Sequence, residues 1–468
     1  MEEKKWNAGS IGLTFAGSFL GAGYVSGQEL WQFFGSFGGG GLLGVLAAMA
    51  LLAVFGLALM YIISRTGIAE MDAVLVPWKR LAWLRKLSSA LQLILLFGVI
   101  AIMYAGGGAL LEQLFSLPTW LGRTLMAALV TLVALRGLRG AVGAFSLIVP
   151  VIVALTLLFG GMALARYGVS LPAFGAAEGS NPLMRSAAFG AVTFAFYNFF
   201  GSVGILAPLG EAASSKRAAR RGVLLGTALL LLIAYSVLLA VMAVPETADA
   251  ELPMLALAYG LSRPLGYAYG ILLLLCMYGS ALSMTVAITT YASARSERVE
   301  KRRGWFILAL GALGYAASSV GFGDLISVVY PVFGYCSSVF IVCLLVHAAQ
   351  TRKKEYKFFE NSGTKEEEIS SKKQHREMVT FCIQIVTISQ RLLKKPVLYC
   401  MKCITHSKSG KGRTATWNRR WNPSRRRRRR RAPWKRLPLP AHRAALQRRR
   451  RARRSAKRPP AASSHSYW

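Results

Sequence analysis

Small and acidic residues interrupt the first long apolar stretch of the chain. Gly21, Ala22, Gly23 and Ser26 lie together, and Glu29 follows them. Glycine destabilises a helix interior by about 1 kcal/mol relative to alanine, so this cluster is where a helix would unwind most easily. An unwound turn frees backbone groups that can bind a small solute or a cation. The alternative is close packing, because small residues let neighbouring helices approach.

Glu29 is the only acidic side chain well inside residues 6–64. An ionisable group within a membrane span costs at least roughly 2.5 kcal/mol unless it faces a cavity or a partner, which makes Glu29 a candidate ion-binding residue. In the alternative, a continuous helix from residue 9 would place it about 30 Å along the axis, at the membrane interface. A titratable group in the pathway is what proton coupling needs.

A second apolar stretch, residues 186–210, carries Tyr197, Asn198 and Ser202 among glycines. An amide and a hydroxyl at mid-span can satisfy backbone groups that an unwound turn releases. This pattern predicts a break in this helix as well. The alternative is a continuous aromatic helix packed in the bundle.

The composition indicates a membrane protein, because 54% of the 468 residues are hydrophobic and only 16% are charged. A membrane helix needs about 20 apolar residues. Nine charge-free intervals meet this need: residues 6–28, 36–64, 87–111, 140–165, 186–210, 222–245, 264–294, 304–323 and 325–351. A tenth fits at residues 118–135, although Arg123 interrupts it near one end, and nine or eleven spans are the alternatives. We therefore predict an all-α polytopic protein.

Lysine and arginine alternate between the loops, as expected when cytoplasmic loops are enriched in them. With the N-terminus inside, that side holds 18 of these residues before position 352. The opposite side holds four, which are Arg123, Arg166, Arg185 and Arg263. This asymmetry predicts ten spans with both termini in the cytoplasm.

Ten spans divide into halves of five that run in opposite directions, which is an inverted repeat. The two interrupted helices are then the first of each half, helices 1 and 6. In such architectures the half-helix ends meet near the middle of the bilayer. The predicted small-solute site is lined by Gly21, Ala22, Gly23, Ser26, Tyr197, Asn198 and Ser202.

The segment Gly21–Phe34, with the sequence GAGYVSGQELWQFF, resembles the first-helix signature of the YkvI family of bacterial membrane proteins. More remotely, the five-plus-five layout resembles the amino acid, polyamine and organocation (APC) superfamily with the LeuT fold. The resemblance covers roughly residues 6–350. It implies secondary transport of amino acids or amines by alternating access, with no enzymatic activity. It also implies a place in the bacterial cytoplasmic (inner) membrane.

Further site residues follow only from this resemblance. In sodium-coupled members the eighth helix supplies hydroxyl groups to a cation, and Ser280, Ser283 and Thr285 lie in the matching stretch. Hydroxyls that bond back to their own helix are the alternative. Tyr104 resembles a solute-contacting tyrosine of that fold, although it could equally be an interfacial aromatic. Residues 245–264 predict a loop with a short helix from Pro253, which in this fold caps the outer vestibule.

Residues 352–468 differ sharply from the transmembrane domain of residues 1–351. They carry a net charge of +29 of the total +37 and include seven consecutive arginines from Arg425. Such a segment predicts a disordered basic cytoplasmic tail. It could bind anionic lipid, act as a nucleic-acid arm, or lie outside the native reading frame. Cys400, Cys403 and His406 lack the fourth ligand that a zinc site needs, so we expect no metal there.

Together these features predict a cation-coupled secondary transporter, with a sodium ion or a proton as the coupling ion and no other cofactor. The alternative is a membrane-embedded solute sensor without net transport. No nucleotide-binding signature occurs in the sequence: no Lys-Ser or Lys-Thr follows Gly38–Gly41. The expected partners are a small-molecule solute and the lipid bilayer, with no nucleic acid for the folded part.

Overall fold

The computed structural model describes residues 6–136, 141–169 and 181–362, and these form helices and short connections. The chain divides into two units, Met1–Thr405 and His406–Trp468, and all described residues belong to the first. Residues from 363 onward lie outside the described part. The predictions made above for the arginine-rich segment and for Cys400, Cys403 and His406 therefore fall outside it too.

Ten helices build the membrane domain. Helix α1 consists of three segments, α1a (Ala8–Phe19), α1b (Ala22–Ser26) and α1c (Gln28–Phe33). The others are α2 (Gly39–Thr66), α3 (Ala82–Phe115), α4 (Thr119–Arg136), α5 (Ala141–Tyr167), α6 (Ala187–Glu211), α7 (Lys216–Ala243), α8 (Arg263–Ser293), α9 (Arg303–Ala317) and α10 (Phe322–Ser362).

Eight helices in the described part are long and apolar enough to cross a membrane. The remaining two are α1, which is interrupted, and α9, which has 15 residues. The prediction of about ten helices in an integral membrane protein is confirmed.

The helix packing repeats between the two halves of the bundle. Helix α1 packs against α7, and the corresponding pair, α6 and α2, is also in contact. Likewise α3 packs against α4 as α8 does against α9, and α6 packs against α10 as α1 does against α5. Exchanging helices 1–5 for helices 6–10 thus reproduces the contacts, as an inverted repeat requires.

The short elements lie between the membrane helices. We call Pro253–Leu261, between α7 and α8, the loop helix. It begins at a proline, as the sequence predicted, and follows a 3-10 turn at Pro245–Asp249. The others are the helices Met71–Leu75 and Glu297–Lys301 and the 3-10 turns Gly35–Phe37, Lys79–Leu81 and Ser318–Val320.

The predicted break in α1 is confirmed. Leu20 leaves the helix at ψ 81°, and Gly21 is extended at φ −89° and ψ 170°. A second interruption occurs at Gly27, whose φ of +86° is in the left-handed region that favours glycine. The sequence cluster of small residues therefore marks an interrupted helix, although close packing also occurs around it.

The predicted break in α6 is wrong, because this helix is continuous from Ala187 to Glu211. The side chains of Asn198 and Ser202 bond to α1, whereas Thr193 bonds back to Phe189 O of α6. Ser202 Oγ donates to Ser18 O at 3.0 Å, and Asn198 Nδ2 donates to Glu29 Oε1 at 3.2 Å. The groups that suggested an unwound turn in one helix thus stabilise the unwound turn of the other.

Helix α10 contains Pro331, which lacks the N–H that would bond to the carbonyl of Ser327, four residues earlier. Asn181 Nδ2 donates to this carbonyl at 2.8 Å. Asn181, which precedes α6, therefore satisfies the carbonyl that Pro331 leaves without a donor. Helix α10 continues through Pro331 without interruption.

Candidate functional site

The carboxylate of Glu29 lies at the centre of the candidate site, in the first turn of α1c. Only 3% of the residue is exposed. One oxygen, Oε1, accepts hydrogen bonds from the Tyr197 hydroxyl and from Asn198 Nδ2, both on α6. Neighbouring helices therefore enclose the Glu29 carboxylate inside the bundle.

The second carboxylate oxygen of Glu29, Oε2, has no hydrogen-bond partner within the described residues. It faces Gly23, where an added Cβ would lie 3.1 Å from Oε2 and 3.2 Å from Ile326 Cδ1. The gap between Gly23 and this oxygen is therefore smaller than a methyl group. A proton could bind to the free side of the carboxylate.

Aromatic rings hold the hydroxyl donor in place. The ring of Tyr197 stacks on Tyr330 of α10, with 4.6 Å between centroids, and on Phe33 of α1c, with 5.5 Å. Phe194 meets the Tyr197 ring edge-on at 5.7 Å. Because neighbours cover the Tyr197 ring, the direction of its hydroxyl toward Glu29 is well determined.

Side chains of the protein satisfy the backbone carbonyls around the break in α1. Besides the bond from Ser202 to Ser18 O, Ser26 Oγ donates to Gly23 O at 3.1 Å. Tyr269 of α8 donates to Val25 O at 2.8 Å. These bonds explain how α1 is interrupted inside the bundle without leaving these carbonyls unpaired.

Seven of the predicted solute-site residues lie in this region, in different environments. Gly21 is half-buried, and no atom lies within 4 Å of the position that its Cβ would take. Ala22, Gly23 and Ser26 are buried in α1b. Tyr197 and Asn198 bind Glu29, whereas Ser202 binds the end of α1a. Gly21 therefore borders the most open part of the break.

The other predicted residues do not join this group. Thr285 Oγ1 bonds back to Ala281 O of its own helix at 2.8 Å, and Ser283 is exposed. Ser280 is half-buried and makes no recorded hydrogen bond. Tyr104 is fully buried, and its hydroxyl faces Thr285 without a hydrogen bond of good geometry. In this conformation the hydroxyls of α8 do not converge on Glu29.

The loop helix closes one side of the break. A Cβ on Gly27 would lie 3.3 Å from Met254 of this helix. Two hydrogen bonds attach the loop to membrane helices. The Glu251 carboxylate accepts from Gly323 N of α10, and Gln113 Nε2 of α3 donates to Leu252 O at 3.1 Å. The loop helix is therefore packed against the second interruption of α1 and is attached to α3 and α10.

Glu251 lies outside the membrane spans, and burial raises the pKa of its carboxyl above the usual value. The nearby carboxylates of Asp324 and Glu112 raise this pKa further, whereas the Gly323 N–H opposes the increase. Because this pKa is raised in the folded chain, protonated Glu251 stabilises the fold in acid, and this contribution is lost as the pH rises through the raised pKa.

The opposite face joins the start of α1a to the end of α6. Trp6 N donates to Ala212 O, and Ser214 N donates to Trp6 O, both at 3.0 Å. Asn7 caps α1a by accepting from Ser10 N at 2.8 Å. The two ends of α1 are therefore attached to different parts of the bundle, with the break between them.

The sequence analysis missed Tyr330, Phe33 and Tyr269. Tyr330 precedes Pro331 within the tenth apolar interval, and a hydroxylated ring beside a proline at mid-span could have indicated it. No comparable signal exists for Tyr269, because its role depends on which carbonyl lies opposite in the folded bundle.

Comparisons with known proteins agree with this architecture, although no protein-family model matches the sequence. The chain is 25% identical over 358 residues to the uncharacterized membrane protein YkvI of Bacillus subtilis, covering 75% of this chain and 99% of YkvI. The inward-facing conformation of Mhp1 matches with a TM-score of 0.56 at 13% identity, over 74% of this chain and 77% of Mhp1. MhsT in complex with L-phenylalanine matches with a TM-score of 0.53 at 15% identity, over 83% of this chain and all of MhsT. The predicted resemblance is confirmed: the chain is YkvI-like in sequence and has the LeuT fold.

Proposed function

We propose that the chain is a secondary transporter that carries a small organic solute across the bacterial cytoplasmic membrane by alternating access, coupled to a cation. The observation that supports this most directly is the buried Glu29 carboxylate beside the interrupted part of α1. It has neutral donors on one oxygen and a free second oxygen. Ionisable groups inside a membrane bundle mark solute or ion pathways.

An amino acid or an amine is the solute class that suits this site. An ammonium group forms strong charge-assisted hydrogen bonds with carboxylates and carbonyls. The open space at Gly21, next to the end of α1a, provides the place for such a group. MhsT, which shares the fold, is solved with L-phenylalanine, and this supports the same class.

Alternating access requires a site that can be closed on either face in turn. The loop helix closes one face here, and the interrupted α1 supplies a hinge between segments that are attached to different neighbours. The distribution of lysine and arginine, 18 against four, supports placing the loop helix outside and both termini inside.

The test uses the full chain purified into liposomes, with a panel of labelled amino acids and alkylamines. We expect at least one solute to accumulate above its external concentration when a sodium or proton gradient is imposed. Binding of a solute without accumulation under either gradient would reject transport and favour a sensor.

A substitution at Gly23 tests the location of the site. In Gly23→Leu the side chain would occupy the space beside Glu29 Oε2, so we expect solute affinity to fall at least about tenfold, or roughly 1.4 kcal/mol. The matched control is Gly161→Leu on α5, where the glycine is exposed and has no atom near its Cβ position. Equal affinity in the two variants would place the solute elsewhere.

A further inference from the structure

We infer that the coupling ion is a proton, which binds to Oε2 of Glu29, rather than a sodium ion bound at the break in α1. This inference deepens the proposed transport function and rests on it. Three features of the site support it: the absence of a compensating charge, the surroundings of Oε2, and the occupancy of the neighbouring oxygen atoms.

The first feature is the charge around Glu29. None of the described lysine, arginine or histidine residues forms an ion pair with it. The titratable groups that face it are Tyr24 on α1b, Tyr197 on α6 and Tyr330 on α10, all neutral phenols that lack a positive charge. The three atoms nearest to a Cβ on the adjoining Gly27 belong to apolar side chains of α7 and the loop helix, Val237, Val241 and Met254.

An isolated carboxylate anion in such surroundings is costly, whereas a protonated carboxyl group with hydrogen bonds is tolerated. Burial of the side chain in this conformation therefore favours the neutral form of the Glu29 carboxyl group. Proton binding to Glu29 is thereby linked to the conformation in which the carboxyl group is buried.

The second feature is the immediate neighbourhood of Oε2. Both donors act on Oε1, so Oε2 keeps its full capacity to take a proton. A Cβ added to Gly23 would lie only 3.1 Å from Oε2 and 3.2 Å from Ile326 Cδ1, so the gap between Gly23 and Oε2 is smaller than a methyl group. A hard cation with roughly six oxygen ligands needs more room than this gap offers, whereas a proton does not.

The third feature is that nearby oxygen atoms already accept hydrogen bonds. The carbonyls of Ser18, Gly23 and Val25 accept from Ser202, Ser26 and Tyr269 respectively. On α8, Thr285 bonds back to its own helix and Ser283 is exposed. Three carbonyls at the break thus already have donors from the protein, and Thr285 and Ser283, which the resemblance implied as sodium ligands, are not directed at the break.

The step itself is simple. A hydronium ion on the open face loses a proton, so that one of its O–H bonds breaks as an O–H bond forms at Oε2. The site closes around the neutral carboxyl group, and when the opposite face opens this bond breaks and the proton returns to water as hydronium. No other covalent bond changes. The Tyr197 hydroxyl can donate to Oε1 in both states, so it positions the carboxyl group without being consumed.

Infrared difference spectroscopy tests proton binding without any solute. The full chain in lipid nanodiscs is compared in acidic and alkaline buffer, first with potassium chloride and then with sodium chloride. We expect a carbonyl-stretch band of a protonated carboxyl group that is lost in Glu29→Gln and unchanged by sodium. The control Glu246→Gln, at an exposed loop position, should retain the band. A band that persists in Glu29→Gln, or one that sodium removes, would overturn the inference.

Transport in liposomes separates this inference from the proposed function. With the panel of labelled amino acids and alkylamines, we expect accumulation under a pH gradient and none under a sodium gradient. Glu29→Gln should reduce accumulation under the pH gradient at least about tenfold, whereas the exposed control Glu246→Gln should retain it. Accumulation under a sodium gradient alone would refute proton coupling but would leave the proposed transport function intact. If no solute accumulates under either gradient, the proposed transport function is rejected. The infrared result then decides by itself whether Glu29 binds a proton.

Discussion

Helices α1 and α6 occupy equivalent places in the two inverted halves, yet only α1 is interrupted. Both contain glycines and hydroxyl groups at mid-span. The difference lies in where the hydrogen bonds run: Ser202 and Tyr269 donate to carbonyls of α1 from other helices. In α6, the Gly201 carbonyl accepts from Gln92 at 3.1 Å, but the helix remains continuous. A glycine cluster permits a break, whereas donors from neighbouring helices stabilise it.

This asymmetry assigns different roles to the two helices. The continuous α6 holds the donors Tyr197 and Asn198 in one geometry, and the interrupted α1 presents the carboxylate to them. The rigid α6 thus positions the ionisable group of Glu29, which belongs to the movable α1. This arrangement suits a binding site that must open and close. Three substitutions test this comparison.

The largest effect is expected at Gly27. Gly27→Ala places a side chain in the left-handed conformation, which costs about 1–2 kcal/mol, and its Cβ would lie 3.3 Å from Met254, Val237 and Val241. We expect the free energy of unfolding to fall by about 2 kcal/mol or more, measured by thermal and denaturant unfolding of the detergent-purified chain.

Gly67→Ala is the matched control for the backbone effect. Gly67 also has a positive φ, of +66°, but no atom lies within 4 Å of its Cβ position. The free energy of unfolding of Gly67→Ala should therefore fall only by the cost of the left-handed backbone conformation, without a packing contribution. An equal loss in the two variants would show that packing around Gly27 contributes nothing to the interrupted helix.

An intermediate effect is expected at Ser202, the donor from α6 to the end of α1a. Ser202→Ala leaves the Ser18 carbonyl without this bond, which should lower the free energy of unfolding by about 0.6–1 kcal/mol. Ser337→Ala on α10 removes a buried hydroxyl that bonds only within its own helix, to Gly334 O. If this control loses as much stability, the bond between α6 and α1 has no special role.

The smallest effect is expected at Gly201 in α6. Alanine is favoured over glycine in a continuous helix, and the atom nearest to the new Cβ is the flexible Leu95 Cδ2, at 3.3 Å. Gly201→Ala should therefore change the free energy of unfolding by less than about 0.5 kcal/mol. Unchanged stability with a loss of solute transport would contradict a rigid α6 and indicate that it unwinds in another conformation.

Much of the fold was predictable from local patterns. The apolar intervals and the alternation of basic residues indicated ten helices, because the bilayer requires long apolar segments and the loops retain their charge. The loop helix from Pro253 and the break near Gly21 also followed from the sequence, since proline and glycine act through the local backbone.

The candidate site was predictable only in part. Its acidic residue and the two α6 donors, Tyr197 and Asn198, were identified because polar groups are rare in apolar stretches. The state of α6 was not, because its hydroxyl and amide could serve either their own helix or another one. Tyr330 and Tyr269 were missed because they act through partners far away in the sequence.

The sequence by itself thus determined which segments cross the membrane, how the halves are arranged and where α1 can unwind. These properties depend on hydrophobicity, charge and backbone freedom, which each segment carries alone. Only the tertiary structure decided that α6 stays whole, that Glu29 is buried with one free oxygen, and that the hydroxyls of α8 lie apart from it. Those outcomes depend on which donor meets which acceptor after packing, and a local pattern does not contain that information.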